Sequence, residues 1–228
     1  MLTILAIETS SEIASCALLR GDSVISRVSN GVRTHSQAVL PMVQELLAEA
    51  GITLQDCDAV AFGAGPGSFT GVRTACGIAQ GLAFGGKIPA VPVVTLDAMA
   101  LACRQRHGAE QVLAVLDARM GEVYWAQYCF QHDAPVAMLA PALSAPGEVQ
   151  PLGTPVACGN GLSAYPEAFP AGGHADIMPH AEQIAQLAAI AFAAGRTVTA
   201  AEAQPLYLRN KVAYTQAERR EMAAKGDA

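Results

Sequence analysis

Residues Thr3 to Ile7 form an unbroken apolar-rich run that stops at Glu8, and two more short apolar-rich segments follow, Ser15 to Leu19 and Val24 to Val28. Their lengths predict strands, the first of them buried. The tight Arg20-Gly21-Asp22-Ser23 link makes the set an antiparallel trio. The period then changes. Thr34-His35-Ser36-Gln37 has the spacing of a capping box, with Thr34 bonding forward and Gln37 reaching back. Val39, Val43, Leu46, Leu47 and Ala50 share one helical face behind it, Leu40 and Met42 widen the apolar arc, and Pro41 is expected to bend the axis. Ala59 to Phe62 reads as another strand, followed by a helix from about Gly71 to Phe84. Pro179 opens an Ala-rich helix to about Ala194, with Gly195 where a left-handed cap residue stops it.

The opening pattern returns halfway along the chain. Leu113 to Asp117 followed by Glu122 to Ala126 repeats Ile4 to Glu8 followed by Glu12 to Cys16: strand, acid, polar turn, Glu-aliphatic, strand. Spacing of half a chain points to two related lobes rather than to a solenoid, whose repeats span about 20–50 residues. With strands and helices alternating, the expected class is α/β, mixed sheets flanked by helices. The polar stretch Arg104 to Gly108 sets the expected division into lobes 1–106 and 107–228. Residues 141–155, with their Pro and Gly, are expected to form a surface loop in the second lobe. Beyond Arg209 the chain turns polar, and Arg219-Arg220-Glu221 and Lys225-Gly226-Asp227 are expected in a frayed or disordered tail, a basic tail touching RNA being the alternative.

Composition narrows the function classes. Of 228 residues 52% are hydrophobic and 15% charged, which excludes intrinsic disorder. The net charge of −6 provides no chain-wide positive field for phosphate backbones, so a lone nucleic-acid binder is not expected. No apolar stretch approaches the roughly 20 residues needed to cross a bilayer, and the start carries no basic leader, so a cytoplasmic protein without a membrane partner is expected. The six cysteines never form a Cys-x-x-Cys pair; reduced, mostly buried thiols are expected.

Candidate chemistry is thin. Gly63-Ala64-Gly65-Pro66-Gly67-Ser68-Phe69-Thr70-Gly71 lies between a strand and a helix, where backbone N–H groups can hold an anion. It matches neither Gly-x-Gly-x-x-Gly nor the Walker pattern, and Ser68 does not sit in a nucleophile elbow. A tight turn whose glycines allow close packing competes with ligand contact there, and the same two readings apply to Gly159-Asn160-Gly161. No two of the five histidines lie four apart, so no helical metal pair is present. Within the second helix Gly77 and Gly81 each cost about 0.8–1 kcal/mol relative to Ala, which calls for close approach of another helix, from this chain or from another protein. His35 reads as a structural or surface residue before it reads as a base. Glu8 and Asp117 end their strands, placed for magnesium or for turn hydrogen bonds.

Four segments together resemble the bacterial TsaB (YeaZ) family: Ile4 to Ser10, Thr34 to Pro41, Gly63 to Arg73, and Leu116 to Tyr124. Pro205-Leu206-Tyr207-Leu208-Arg209 resembles its late motif. The resemblance implies an actin-like/Hsp70-like/sugar-kinase (ASKHA) fold of two related lobes. It also implies a noncatalytic subunit that binds TsaD and, with the ATPase TsaE, supports threonylcarbamoyl transfer to adenosine 37 of tRNAs reading ANN codons. The tRNA is reached only through the complex, no cofactor is the chain's own, and ATP belongs to the assembled complex. By the same resemblance Val39, Leu40, Met42, Val43, Leu46, Leu47, Arg73, Gly77 and Gly81 form the partner surface, which self-associates into a homodimer when TsaD is absent. Fold analogy gives Thr9, Ser10 and Gly159 as nucleotide contacts. Where the catalytic relative has a metal-binding His-x-x-x-His, this chain has Thr95-Leu96-Asp97-Ala98-Met99, with no iron or zinc ligand at either end. The rival is a small ASKHA-type ATP-dependent kinase or hydrolase in which Glu8 and Asp117 handle magnesium and nucleotide.

Overall fold

A computed structural model describes residues 1–29, 35–132, 134–169 and 172–209. Thr34, the first member of the expected capping box, and the tail beyond Arg209 lie outside the described residues.

Strand β1 (Thr3–Glu8) is buried along its whole length. It runs antiparallel to β2 (Ala14–Arg20) and parallel to β4 (Ala59–Gly65), in a sheet ordered β3-β2-β1-β4-β5, where β3 is Ser23–Ser29 and β5 is Ala90–Val94. Helices cover both faces, which explains the unbroken apolar run. Leu5 and Ile7 point to a core shared with α1 (His35–Glu49) and α2 (Phe69–Gly86), and Ile4 and Ala6 point to a core shared with α3 (Thr95–His107) and α5 (Ala181–Ala193).

The second sheet repeats the first. Strand β6 (Gln111–Arg119) is antiparallel to β7 (Glu122–Gln131) and parallel to β9 (Val156–Cys158), with β8 (Ala134–Ser144) at the far edge, in the order β8-β7-β6-β9. That is the order β3-β2-β1-β4 over again, so the echo in the sequence is an echo in topology. Helix α3 covers one face, placing Met99, Ala102 and Cys103 against Val112, Ala114 and Leu116. Short helix α4 (Gly161–Ala164) contributes Leu162 to a smaller cluster with Leu113, Val115 and Val123.

Two expectations need correction. Packing does not follow a division at 106/107: α5 belongs by sequence to the second lobe but seals the first sheet, and Ala90 bridges to Val198. Residues 141–144 are strand rather than loop. The prolines of β8 are admissible because β8 is an edge strand, where a missing N–H breaks no ladder. Gly195 follows α5 at φ 70°, where a stop was expected, and Gly108 closes α3 at φ 65°. Five of the six free cysteines are buried and Cys129 is half-buried.

Candidate docking face and interlobe cleft

Helix α2 starts where Ser68 Oγ accepts the Gly71 N–H at 3.4 Å and ends at Lys87 in the left-handed conformation. Its inner face, Val72, Ala75, Cys76, Ala79 and Ala83, is buried. Its outer face is open. Methyl groups added at Gly77, Gly81 or Gly85 would meet nothing within 4 Å, and Phe84 beside them is 81% exposed. The expected cover over this stripe is thus not supplied by the described residues of the chain.

Helix α1 corrects the expected partner surface. Val39 and Leu46 have no exposed surface, and Met42 and Val43 are buried with them in the core under the first sheet. These four side chains are spent inside the chain and offer a partner no area. Leu47 is half-buried against the same core, while Leu40 is 45% exposed. The outward set is therefore Leu40, Arg73, Gly77 and Gly81, joined by Gly85, Phe84 and Phe69. The sequence signal for Gly85 and Phe84 was present: Gly85 continues the four-residue glycine spacing and Phe84 precedes it.

The other glycines turn inward. A Cβ on Gly71 would lie 1.9 Å from the Thr9 carbonyl oxygen, and one on Gly67 would lie 2.5 Å from that of Ser10. Ser68 N–H donates to Ser10 O at 2.7 Å, and Thr9 Oγ1 donates to Gly71 O at 2.7 Å. The glycine run is thus a packing device that lets the start of α2 close onto residues 9–10. Of the expected nucleotide contacts, Ser10 lines the interlobe cleft, and Thr9 and Gly159 are committed inside the chain. Thr9 and Ser10 are buried, and the Thr9 hydroxyl is committed. Gly159 is buried beneath Val115 O, its N–H donated to His174 O at 3.1 Å.

Between the sheets lies a cleft of about 480 Å³. Glu12, His35 and Phe69 line it from the first lobe, Arg119 and Met120 from the second, and Tyr207 from the C-terminal segment. That segment straps the lobes together. Leu206 N–H donates to Ala64 O at 2.7 Å, and the Arg209 guanidinium donates to Ala118 O at 2.9 Å, Arg119 O at 3.3 Å and Glu122 Oε2 at 2.5 Å. The β6–β7 turn it grips holds Arg119, Met120 and Gly121 at φ 61°, 60° and 77°. A primed hairpin turn requires such angles, and they are uncommon for Arg and Met. Arg73 stacks 3.2 Å from the Phe69 ring centre and 4.9 Å from that of Tyr207, a cation–π contact that holds its charge beside the cleft mouth. Phe69, Tyr207 and Arg209 stood within the motifs, but only the strap shows what they do.

The acids are engaged too. Asp117 Oδ1 accepts from Arg119 N–H at 2.8 Å and Tyr165 O–H at 3.2 Å, and Oδ2 pairs with Arg119 at 3.1 Å. Glu8 is wholly buried, and burial pushes its carboxyl above the usual range. His35 Nε2 lies 3.3 Å from Glu12 O. Thr95 and Met99 are buried on α3, and among the described residues no three His, Cys, Asp or Glu side chains gather as metal ligands. No described helix is long and apolar enough to cross a membrane.

Comparison with known proteins agrees with this architecture. The family model described as TsaD, tRNA N6-adenosine threonylcarbamoyltransferase, matches residues 23–224. The tRNA threonylcarbamoyladenosine biosynthesis protein TsaB of Escherichia coli K12 is 41% identical over 92% of this chain and 96% of its own length. The protein of the same name from Haemophilus influenzae is 39% identical over 96% and 99%. The solved structure of YeaZ from Pseudomonas aeruginosa superposes with a TM-score of 0.86 at 42% identity, covering 91% of this chain and all of that one. The α/β class of mixed sheets flanked by helices expected from the sequence therefore stands, and the chain belongs to the TsaB (YeaZ) family.

Proposed function

We propose that this chain is a noncatalytic subunit in the formation of threonylcarbamoyladenosine at position 37 of ANN-decoding tRNAs, docking TsaD through the outer face of α2 and working with TsaE and ATP in the assembled complex. The observation that carries the reading is the open glycine stripe. Gly77, Gly81 and Gly85 leave room for a second backbone to approach, and Phe84 beside them is an apolar anchor in water. Relatives named for threonylcarbamoyladenosine biosynthesis supply the pathway, and the TsaD family model, matching nearly the whole chain, supports a partner of related fold. A homodimer through the same face is the resting form without TsaD.

A catalytic role draws no support from the residues that would carry it. The Glu8 carboxyl is sealed in the interior, Asp117 is occupied by Arg119 and Tyr165, and Thr95 and Met99 stand at the ends of the segment aligned with the relative's metal ligands. The test is reconstitution from purified components. The chain is mixed with TsaD, with and without TsaE and ATP, then assayed by pull-down and by modified nucleoside formed on tRNA. Capture of TsaD, and modification that stops when this chain is omitted, are expected. Failure to capture TsaD favours the stand-alone homodimer, and robust ATP turnover by the chain alone favours the kinase or hydrolase.

A further inference from the structure

The two sheets end in four edge strands, and three of these edges are blunted. Ala90 of β5 bridges to Val198, and β9 is three residues long and bridges through Cys158 to His174. Strand β8 carries Pro135 and Pro141 and shifts register against β7. Such devices keep a sheet edge from pairing with another chain. Strand β3 has none of them. Its seven residues pair with β2 in unbroken register and include no proline, and among the described residues no strand pairs with its other side. Arg27 is its only charge, and Glu45 at 3.5 Å and Glu49 engage it.

The hairpin before β3 fixes which of its backbone groups are open. Gly21, at φ 58°, starts a two-residue turn closed by the pair Arg20 and Ser23. Gly21 N–H donates to Leu2 O at 2.9 Å, so the odd-numbered residues of β2 bond to β1 and the even-numbered ones bond to β3. Their partners in β3 are Ser23, Ile25, Arg27 and Ser29. The N–H and C=O groups of Val24, Ser26 and Val28 therefore point away from the sheet. Ser26 O takes a bond from the Arg27 guanidinium at 3.0 Å, and a carbonyl oxygen has a second lone pair for another donor. Val24 packs with the core shared with α5, and Ile25 with the core under α1, so Val24, Ser26 and Val28 share the α5 side. Ser26 is exposed there and Val28 is 48% exposed.

The sequence of the strand says what fits this edge. Ser23-Val24-Ile25-Ser26-Arg27-Val28-Ser29 reads alike from either end except at Ile25 and Arg27. We infer that β3 pairs antiparallel with β3 of a second copy of this chain, across a two-fold axis at Ser26, joining the first sheets of the two copies into one. Ser26 then faces Ser26 of the second copy, and Val24 and Val28 face each other twice. These are the residues whose backbone groups are open, and each pair exchanges two N–H···O bonds. A slip of one residue would set open groups against groups already bonded to β2. The exposed side of Val28 is covered by a valine on the same face, a favourable cross-strand pair, and the seam is self-complementary, as a two-fold contact must be. Helix α2 packs over β4 and β1, so the seam at β3 leaves its outer face open for docking.

The test is amide hydrogen exchange by NMR on the whole ¹⁵N-labelled chain over a series of concentrations, with sedimentation at each. Exchange at Val24, Ser26 and Val28 should slow as the chain dimerises, while Ile25 and Arg27, bonded to β2 in either state, should change little. Ser26→Pro removes an outward N–H without touching the ladder to β2, and should abolish the concentration dependence at Val24 and Val28. Exchange at these amides that stays fast at every concentration overturns the inference. So does slow exchange in a chain that sediments as a monomer, which would mean that the edge is covered within the chain. A dimer that protects α2 and leaves the three amides unchanged overturns it as well. Should Ser26→Pro not fold, the alternation from Val24 to Val28 in the parent chain decides alone.

Discussion

Replacing Gly77 and Gly81 by alanine should stabilise the isolated chain, and replacing Gly81 by leucine should separate stability from docking. A Cβ at either glycine meets nothing within 4 Å, so alanine adds no clash and recovers helix propensity of about 0.8–1 kcal/mol per site. Together the two propensity gains come to about 2 kcal/mol, which for a chain of this size raises Tm by roughly 4–8 °C. Leucine at 81 is also a strong helix former on an open surface, and the monomer should tolerate it. Against a docked partner the same side chain fills the space that close approach requires. Overpacking of about 1–3 kcal/mol corresponds to roughly 5- to 150-fold weaker binding. Thermal denaturation, at a dilution where the chain is monomeric, measures the first effect, and calorimetric titration with TsaD measures the second. A lower Tm for Gly77→Ala/Gly81→Ala would show that the stripe is covered within the chain. A folded Gly81→Leu with unchanged affinity would remove α2 from the docking surface.

Gly71→Ala should do the opposite on the same helix: its Cβ would lie 1.9 Å from a backbone carbonyl that a hydrogen bond from Thr9 back to Gly71 holds in place, so a loss of about 3 kcal/mol or more in urea denaturation is expected. Arg209→Ala should cost about 2–4 kcal/mol by leaving the carbonyls of Ala118 and Arg119 without their donor, read as increased amide exchange in the β6–β7 turn. The Asp97 carboxyl is pushed up to about 6 by burial, against the opposing effects of the Tyr128 hydroxyl and Arg196. Its stabilising contribution should be present below the unfolded value of 3.8 and fade as the pH rises through about 6. Urea midpoints measured across that window should fall less steeply in Asp97→Asn than in the parent chain.

Much of the fold was legible because β1 and β6 obey simple patterning. A strand covered by helices on both faces needs apolar residues at every position, and a duplicated lobe repeats its strand-acid-turn-strand phrase in the same order. The candidate docking face was legible only in part. Periodicity finds the apolar stripe of α1 but not what the stripe is pressed against, so Val39, Met42, Val43 and Leu46 looked as available as Leu40 until the first sheet was seen beneath them. The strap was out of reach for another reason. The grip of Arg209 on carbonyls about 90 positions earlier leaves no local spacing to read.

The glycines show how one residue type serves opposite ends. Gly63, Gly67 and Gly71 are required by contacts inside the chain, where Glu8, Thr9 and Ser10 leave no space for a Cβ. Their conformational cost is offset by the close packing they permit. Gly77 and Gly81 carry the same cost in mid-helix with no such return, since open space surrounds both. Together they forgo about 2 kcal/mol, a substantial share of the 5–15 kcal/mol that holds an ordinary domain folded. A compensating interaction is absent from the described residues; on the proposed docking it is supplied by a partner backbone brought closer to α2 than any side chain on these positions would allow.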